Sequence, residues 1–139
     1  FVIGKEKNIG YYQRLSKKMN IDNLVVFTGP REDVDDFYAI SDIFILPTHY
    51  EPFSNVILEA MSFGNAVFTT KQNGASEILD DYFIMDSPKD LSVVSRINDL
   101  IVNQAKLKQI KKDNRAKSKQ FSIEKNLSET LKVINEVIN

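Results

Sequence analysis

Residues 43–70 read IFILPTHYEPFSNVILEAMSFGNAVFTT. The run Ile43–Leu46 is apolar, of strand length, and stopped by Pro47; Ala66–Thr70 is a second such run. Between them, residues 55–63 carry apolar side chains at helical spacing and end at Gly64, a residue suited to the left-handed turn that closes a helix. Strand, helix and strand in so short a span predict a βαβ unit, which makes the two strands parallel and neighbouring.

Working outward, further short apolar runs fall at residues 1–3, 24–28 (closed by Gly29-Pro30) and 82–85. They alternate with helical periodicity: residues 9–19 with Tyr12, Leu15 and Met19 on one face, then a shorter stretch with Val34, Phe37, Tyr38 and Ile40. A short helix over residues 75–79 links the fourth and fifth strands. Ser87-Pro88-Lys89-Asp90 offers an N-cap hydroxyl, a first-turn proline and a carboxylate, so a helix is expected to start there and bury Leu91, Val94, Ile97 and Ile101. Asn103 is placed to cap the next helix, with Leu107 and Ile110 inward, and Ser122 the last, with Leu127, Leu131, Ile134 and Ile138 in one stripe. The pattern predicts an α/β fold: one Rossmann-like parallel sheet of about five strands between helices, a single domain over residues 1–139, and a helical C-terminal tail.

Composition narrows the chemistry. The chain has 139 residues, no cysteine, a single histidine (His49) and a formal charge of −1. Without cysteine there is no disulfide framework, thiolate metal cluster or cysteine nucleophile. One histidine excludes any site needing two imidazoles. No apolar run approaches the roughly 20 residues needed to cross a bilayer, and no basic-then-apolar leader opens the sequence. The near-zero charge argues against nucleic acid as a partner, and the expected setting is cytoplasmic. The opening Phe1-Val2-Ile3-Gly4 lacks a methionine and reads as a piece of a longer protein, starting at a core strand.

In an open parallel sheet, ligands bind outside the carboxyl ends of the strands, which points to residues 4–8, 29–33, 47–55 and 71–76. The third is the richest. Pro52 keeps Glu51 out of the helix, and Ser54 or Asn55 can cap the helix that follows. Free amides and the positive dipole end at such a helix start suit a phosphate. Glu51 and Glu59 stand eight positions apart, about 12 Å along a continuous helix, more than the roughly 5–9.5 Å of a glycosidase carboxylate pair. Two separate tasks fit better. An ionised carboxylate accepts hydrogen bonds from vicinal hydroxyls, and two hydroxyl-bearing rings joined by a phosphate linker describe a nucleotide sugar. Set against that, a solvated helix glutamate and a loop glutamate beside proline are ordinary surface features.

The stretch from Ile43 to Glu77 resembles the nucleotide-sugar-binding half of retaining glycosyltransferases of family 4, the group 1 glycosyltransferases, twin-domain enzymes of GT-B fold. The resemblance rests on the strand ending in Pro47, on Tyr50-Glu51-Pro52-Phe53, and on two glutamates with seven residues between. It extends through Leu58-Glu59-Ala60-Met61, Gly64, the following strand and Asn73-Gly74-Ala75-Ser76-Glu77, and back to Phe27-Thr28-Gly29 with its acidic helix. The Pro52-Phe53-Ser54-Asn55 wording looks most like enzymes that glucosylate lipopolysaccharide core.

The resemblance implies that Glu51 is the catalytic-site residue, touching donor-sugar hydroxyls near the reacting carbon. It implies that amides around Phe53, Ser54 and Asn55 hold the β-phosphate or sugar, and that Glu59 binds the ribose hydroxyls with Val56 packed nearby. Arg31 would lie beside the base, and Gly4 would let the first loop approach the donor. His49 ends the third strand and is a candidate donor to sugar or diphosphate, beside the plainer reading of a structural loop histidine. The implied activity is transfer of a hexose, glucose from UDP-glucose being favoured, to a carbohydrate or lipid-linked acceptor in envelope polysaccharide synthesis. No cofactor and no metal are implied, because protein cations and helix amides stabilise the leaving diphosphate.

Two departures accompany the match. Lys5-Glu6-Lys7 follows Gly4 where the family usually has a further Gly or Gly-Pro. The strand and loop that normally precede Phe1, with an Arg and a Lys that clamp the diphosphate, are missing, as is the acceptor-binding domain, so this chain alone is expected to be inactive. Losing that strand leaves the order 2-1-3-4-5, with residues 1–3 either pairing directly with Ile43–Leu46 or leaving a defect there. Two other readings stay open: a domain like that of a nucleotide-sugar 2-epimerase, and a non-catalytic binding module.

The remaining features have plainer explanations. The basic residues from Lys106 to Lys119 read as a solvated helix face, with attraction to anionic headgroups, and so peripheral association at the inner membrane, as the alternative. Glu32, Asp33, Asp35 and Asp36 sit at a helix start, where acids complement the dipole. Phe27, Phe44, Phe63 and Phe68 are core residues, whereas the loop position of Phe53 could expose it.

Overall fold

Every residue of the strand Ala66–Thr70 is buried, as the middle strand of a parallel sheet must be when helices cover it. The computed structural model describes residues 1–5 and 7–138; Glu6 and Asn139 lie outside the described residues, as does the side chain of Ile123. The strands are β1 (Val2–Ile3), β2 (Phe27–Gly29), β3 (Ile43–Leu46), β4 (Ala66–Thr70) and β5 (Ile84–Met85). The helices are α1 (Ile9–Lys18), α2 (Val34–Ile40), α3 (Asn55–Ser62), α4 (Val93–Val102), α5 (Gln104–Ser118) and α6 (Ile123–Ile138). The chain forms two compact units, Phe1–Phe37 and Tyr38–Asn139.

In the first unit, β1 pairs in parallel with β2. The Val2 amide donates to the Val26 carbonyl at 2.8 Å and that of Gly4 to the Gly29 carbonyl at 3.0 Å. An apolar cavity of about 370 Å³ lies among Ile3, Ile9, Tyr12, Leu15 and Phe27, and Phe1 meets Phe37 edge-on at 5.2 Å. The strand expected over residues 24–28 starts later. Residues 21–24 instead close a turn, the Leu24 amide donating to the Ile21 carbonyl at 2.9 Å, and this leaves the Leu24 side chain 74% exposed.

In the second unit the order is β3-β4-β5, all parallel, with Ile43 opposite Ala66 and Thr69 opposite Ile84. Ala66 and Phe68, alternate residues and therefore on one face of β4, join Phe83, Met85, Val93, Leu100 and Leu107 in the main apolar core. Ile57, Ala60 and Met61 bury the inner side of α3 completely. Gly64, at φ +85°, ends that helix. A Cβ there would stand 2.5 Å from Arg115 Nε and 3.0 Å from the Lys111 carbonyl oxygen. That room lets Arg115 donate through Nε (3.1 Å) and Nη2 (2.8 Å) to the carbonyl of Phe63.

Three expectations are corrected. The five strands form two ladders, β1-β2 and β3-β4-β5, rather than one. Of the two outcomes expected for residues 1–3, direct pairing with Ile43–Leu46 is not found among the described residues, and β1 pairs with β2. Tyr82 and Phe83 belong to a 3₁₀ turn, Asp81–Phe83, so only Ile84 and Met85 remain as strand. The helix expected from Ser87 starts at Val93. Ser87 Oγ does accept from the Lys89 amide (3.3 Å), but Asp90 takes the amides of Asp86 (3.0 Å) and Ser92 (2.9 Å), closing turns in place of a helical start. The later start shifts the buried stripe of α4 to Val93, Ile97 and Leu100; Leu91 is 78% exposed. The caps of the last two helices are as expected: Asn103 Oδ1 accepts from the Lys106 amide at 3.1 Å and Ser122 Oγ from that of Lys125 at 3.3 Å.

Candidate functional site

The loop between β3 and α3 is held from below by buried hydroxyls and an amide. Thr69 Oγ1 donates to the Leu46 carbonyl (2.9 Å) and Thr70 Oγ1 to that of Thr48 (2.7 Å). Asn73 Nδ2 donates to Thr69 Oγ1 (3.2 Å), while Asn73 Oδ1 accepts from the Ala75 amide (3.0 Å). All three residues are fully buried. Buried polar groups are affordable when paired in this way, and pairing fixes one geometry. The loops after β3 and β4 are therefore tied together.

Glu51 lies on that tie. Its amide donates to the Gln72 carbonyl (3.2 Å) and its own carbonyl accepts from the Gly74 amide (2.9 Å), so Glu51 and Asn73 form an isolated parallel bridge. The backbone of Glu51 is pinned, and its half-buried carboxylate has no hydrogen-bond partner among the described residues.

Ser54 is the N-cap residue of α3, in extended conformation, and makes no side-chain cap bond. The first N–H groups of a helix have no intrahelical acceptors. Here neither a capping side chain nor an acidic residue in the first turn offsets the positive end of the dipole. Helix α2 differs, carrying Asp35 and Asp36 in its first turn. Helices α1 and α4 share with α3 the lack of a side-chain cap bond and of a first-turn acid, and of these starts that of α3 follows the loop carrying Glu51.

Glu59, in the second turn of α3, is exposed, yet its Oε2 accepts a hydrogen bond from Tyr38 Oη at 3.2 Å. Glu59 lines a cavity of about 610 Å³ together with Phe53, Asn55 and Leu58, and with Lys125 and Glu129 of α6. The structure thus brings Phe53, Asn55 and Glu59 to one cavity. Phe53 is 42% exposed. Glu51, His49, Ser54 and Val56 do not line it, although Ser54 and Val56 flank Asn55 in sequence. His49 is exposed at the end of β3.

Gly4 and Arg31 belong to the first unit. Gly4 ends β1 at φ +128°, a conformation that favours glycine. Arg31 forms a two-pronged pair with Asp33, Nε to Oδ1 at 2.7 Å, and lies 5.6 Å over the ring of Phe37. The Asp33 hydrogen bond and charge raise the pKa of Arg31, and the same bond lowers that of Asp33. On α5, Lys106 pairs with Asp99 and Lys111 with Asp42. Among the described residues, no three His, Cys, Asp or Glu side chains come together to hold a metal ion, and no helix is long and apolar enough to cross a membrane.

Sequence reasoning missed the part of Tyr38, counted only as apolar, and of Lys125 and Glu129. A tyrosine on the inner face of a helix is itself a signal, because a buried hydroxyl requires a partner. No comparable signal tied α6 to this cavity.

Parallel strands flanked by helices, with a polar loop and an open helix start after β3, define a Rossmann-like fold, a class whose ligands bind outside the carboxyl ends of the strands. The chain matches the profile of the family "Glycosyl transferases group 1" over residues 1–117 and belongs to that family. It is 31% identical over 81 residues to the lipopolysaccharide glucosyltransferase WaaG of Escherichia coli, covering 58% of this chain and 21% of that one. It is 27% identical, also over 81 residues, to the lipopolysaccharide core biosynthesis glycosyltransferase LpsE of Rhizobium meliloti, covering 58% of this chain and 24% of the relative. The crystal structure of Anabaena Alr3699/HepE in complex with UDP-glucose superposes with a TM-score of 0.79 at 26% identity, over 94% of this chain and 40% of that one. The aligned segments thus span a quarter or less of these curated relatives.

Proposed function

We propose that this chain is the donor-binding domain of a retaining glycosyltransferase that moves a hexose, glucose from UDP-glucose, to a carbohydrate or lipid-linked acceptor in envelope polysaccharide synthesis. The observation that carries the reading is the start of α3. It is uncapped and free of acids, and Phe53 and Asn55 at that start share a cavity with Glu59 one turn further on. A diphosphate at the helix amides would leave Glu59 to accept from the ribose hydroxyls and Glu51, on its pinned backbone, to contact the sugar.

Charge that develops on the departing diphosphate would be met by amides already oriented before the reaction. Preorganisation of that kind lowers a barrier without rearrangement at the moment of transfer. On this proposal no metal or other cofactor takes part. The similarity to the glucosyltransferase WaaG and to HepE, whose crystal structure holds UDP-glucose, supports the choice of a UDP-linked glucose donor, and the similarity to LpsE supports a lipopolysaccharide acceptor. Action on an envelope acceptor would place the protein in the cytoplasm, at the inner membrane when the acceptor is a lipid.

Calorimetric titration of the full-length protein with UDP, UDP-glucose and GDP-mannose tests the reading. UDP and UDP-glucose are expected to bind, and Glu59→Ala to weaken both about tenfold or more, since it removes a charged hydrogen-bond acceptor. Absence of uridine-nucleotide binding, or equal binding by the variant, overturns it.

A further inference from the structure

Glu59 is an exposed glutamate whose side chain accepts one hydrogen bond among the described residues, and that bond comes from a buried side chain. The ring of Tyr38 is 8% exposed. It lies 5.7 Å from Phe44, edge-on, and 5.8 Å from Phe63. The main chain beneath it is fixed as well. Asn65 Nδ2 donates to the carbonyls of Tyr38 (2.8 Å) and Ser41 (3.1 Å), and the carbonyl of the fully buried Asn65 accepts from Asn114 Nδ2 (2.7 Å). Phenylalanine would satisfy the apolar packing equally well. The hydroxyl is the one feature of Tyr38 directed at Glu59, which it meets at Oε2. Oε1 has no partner among the described residues.

An exposed glutamate samples several rotamers, and a ligand that needs one of them must order the side chain on binding. A hydrogen bond made beforehand from a rigid donor removes part of that cost. We infer that Tyr38 is a positioning residue for ligand binding: it holds Glu59 by one carboxylate oxygen so that the other is presented to the vicinal hydroxyls of a nucleotide's ribose. The inference rests on the donor-site reading given above and deepens it, since the ligand class it requires is one with a free 2′,3′-diol.

The test uses the full-length protein and two probes, UDP and 2′,3′-dideoxy-UDP. Affinities are measured by calorimetry for the unmodified protein, Tyr38→Phe, Glu59→Ala, the double variant and Glu59→Asp. Ordering one long side chain costs enough to shift affinity about fivefold. Tyr38→Phe is expected to weaken UDP by about that factor, to leave dideoxy-UDP within about twofold, and to have no further effect once Glu59 is alanine. Glu59→Asp keeps the charge and leaves Tyr38 intact but shortens the reach to the hydroxyl, so it should lower the UDP to dideoxy-UDP preference too, independently of how well Tyr38→Phe folds. Equal weakening of both probes by Tyr38→Phe reduces Tyr38 to a structural role and overturns the inference. So does an unchanged preference in Glu59→Asp. If Glu59→Ala weakens UDP and Tyr38→Phe does not, the positioning role fails while the donor site stands. If UDP binds the unmodified protein and Glu59→Ala alike, the donor-site reading falls and takes the positioning role with it.

Discussion

A Cβ on Gly74 would stand 1.8 Å from the carbonyl oxygen of Pro52. No side chain fits at that distance, so the loop after β4 and the loop before α3 touch backbone to backbone. Gly74 also donates its amide to the carbonyl of Glu51, which makes the same contact the support of a candidate site residue. Gly74→Ala forces the two loops apart and is expected to destabilise the protein by about 3 kcal/mol. The urea midpoint reads this directly, and a midpoint equal to that of the unmodified protein contradicts the stated contact.

The two asparagine and serine caps make opposite predictions. Asn103 Oδ1 accepts from the Lys106 amide, whereas Ser54 makes no side-chain cap bond. Asn103→Ala should therefore cost about 1 kcal/mol in thermal or urea unfolding. Ser54→Ala should change stability by less than about 0.5 kcal/mol. Equal losses in the two variants would show that the start of α3 is capped after all, and so less open to an anion.

Asp90 gives a pH dependence with a definite sign. Hydrogen bonds from Ser92 and from the Asp86 amide, with the nearby charge of Arg96, hold its carboxyl down to about 2, below the ordinary value of 3.8. The unfolded chain binds this proton more readily than the folded one in that interval. The stabilisation is thus complete above about pH 4 and is lost as pH falls toward 2. Asp90→Asn should have a lower urea midpoint at neutral pH and a shallower decline between pH 4 and 2. Parallel declines in the two proteins would assign the acid sensitivity to other carboxylates.

The second unit was largely legible because its signals are local. Four apolar residues before Pro47, the β-prone run Ala66–Thr70 before Lys71 and helical spacing ended by Gly64 fix β3, β4 and α3 without reference to the rest of the chain. Where a local signal had a competitor, the sequence misled. Ser87-Pro88 reads as a helix start, but Asp90 captures the nearby amides first, and the buried face of α4 rotates accordingly. Of the candidate site, the sequence offers Glu59 and an uncapped helix start, which share one cavity lining, and Glu51, which lies outside that lining. The supports of that site were not legible. Thr69, Thr70 and Asn73 look like ordinary polar residues until the strands bring them beneath residues 46–48. Tyr38 meets Glu59 from 21 positions away, a pairing no spacing rule predicts.

Strand β4 is paired on both edges and has no exposed residue. Amide protons in such a strand exchange with deuterium only when the whole unit opens, while those at loop tips exchange through small fluctuations. Because the Glu51 amide is bonded to the Gln72 carbonyl, in a loop that Thr69 and Thr70 hold from that strand, deuterium should enter this amide far more slowly than its surface position suggests. Entry and departure of a ligand would then proceed over a floor that stays closed.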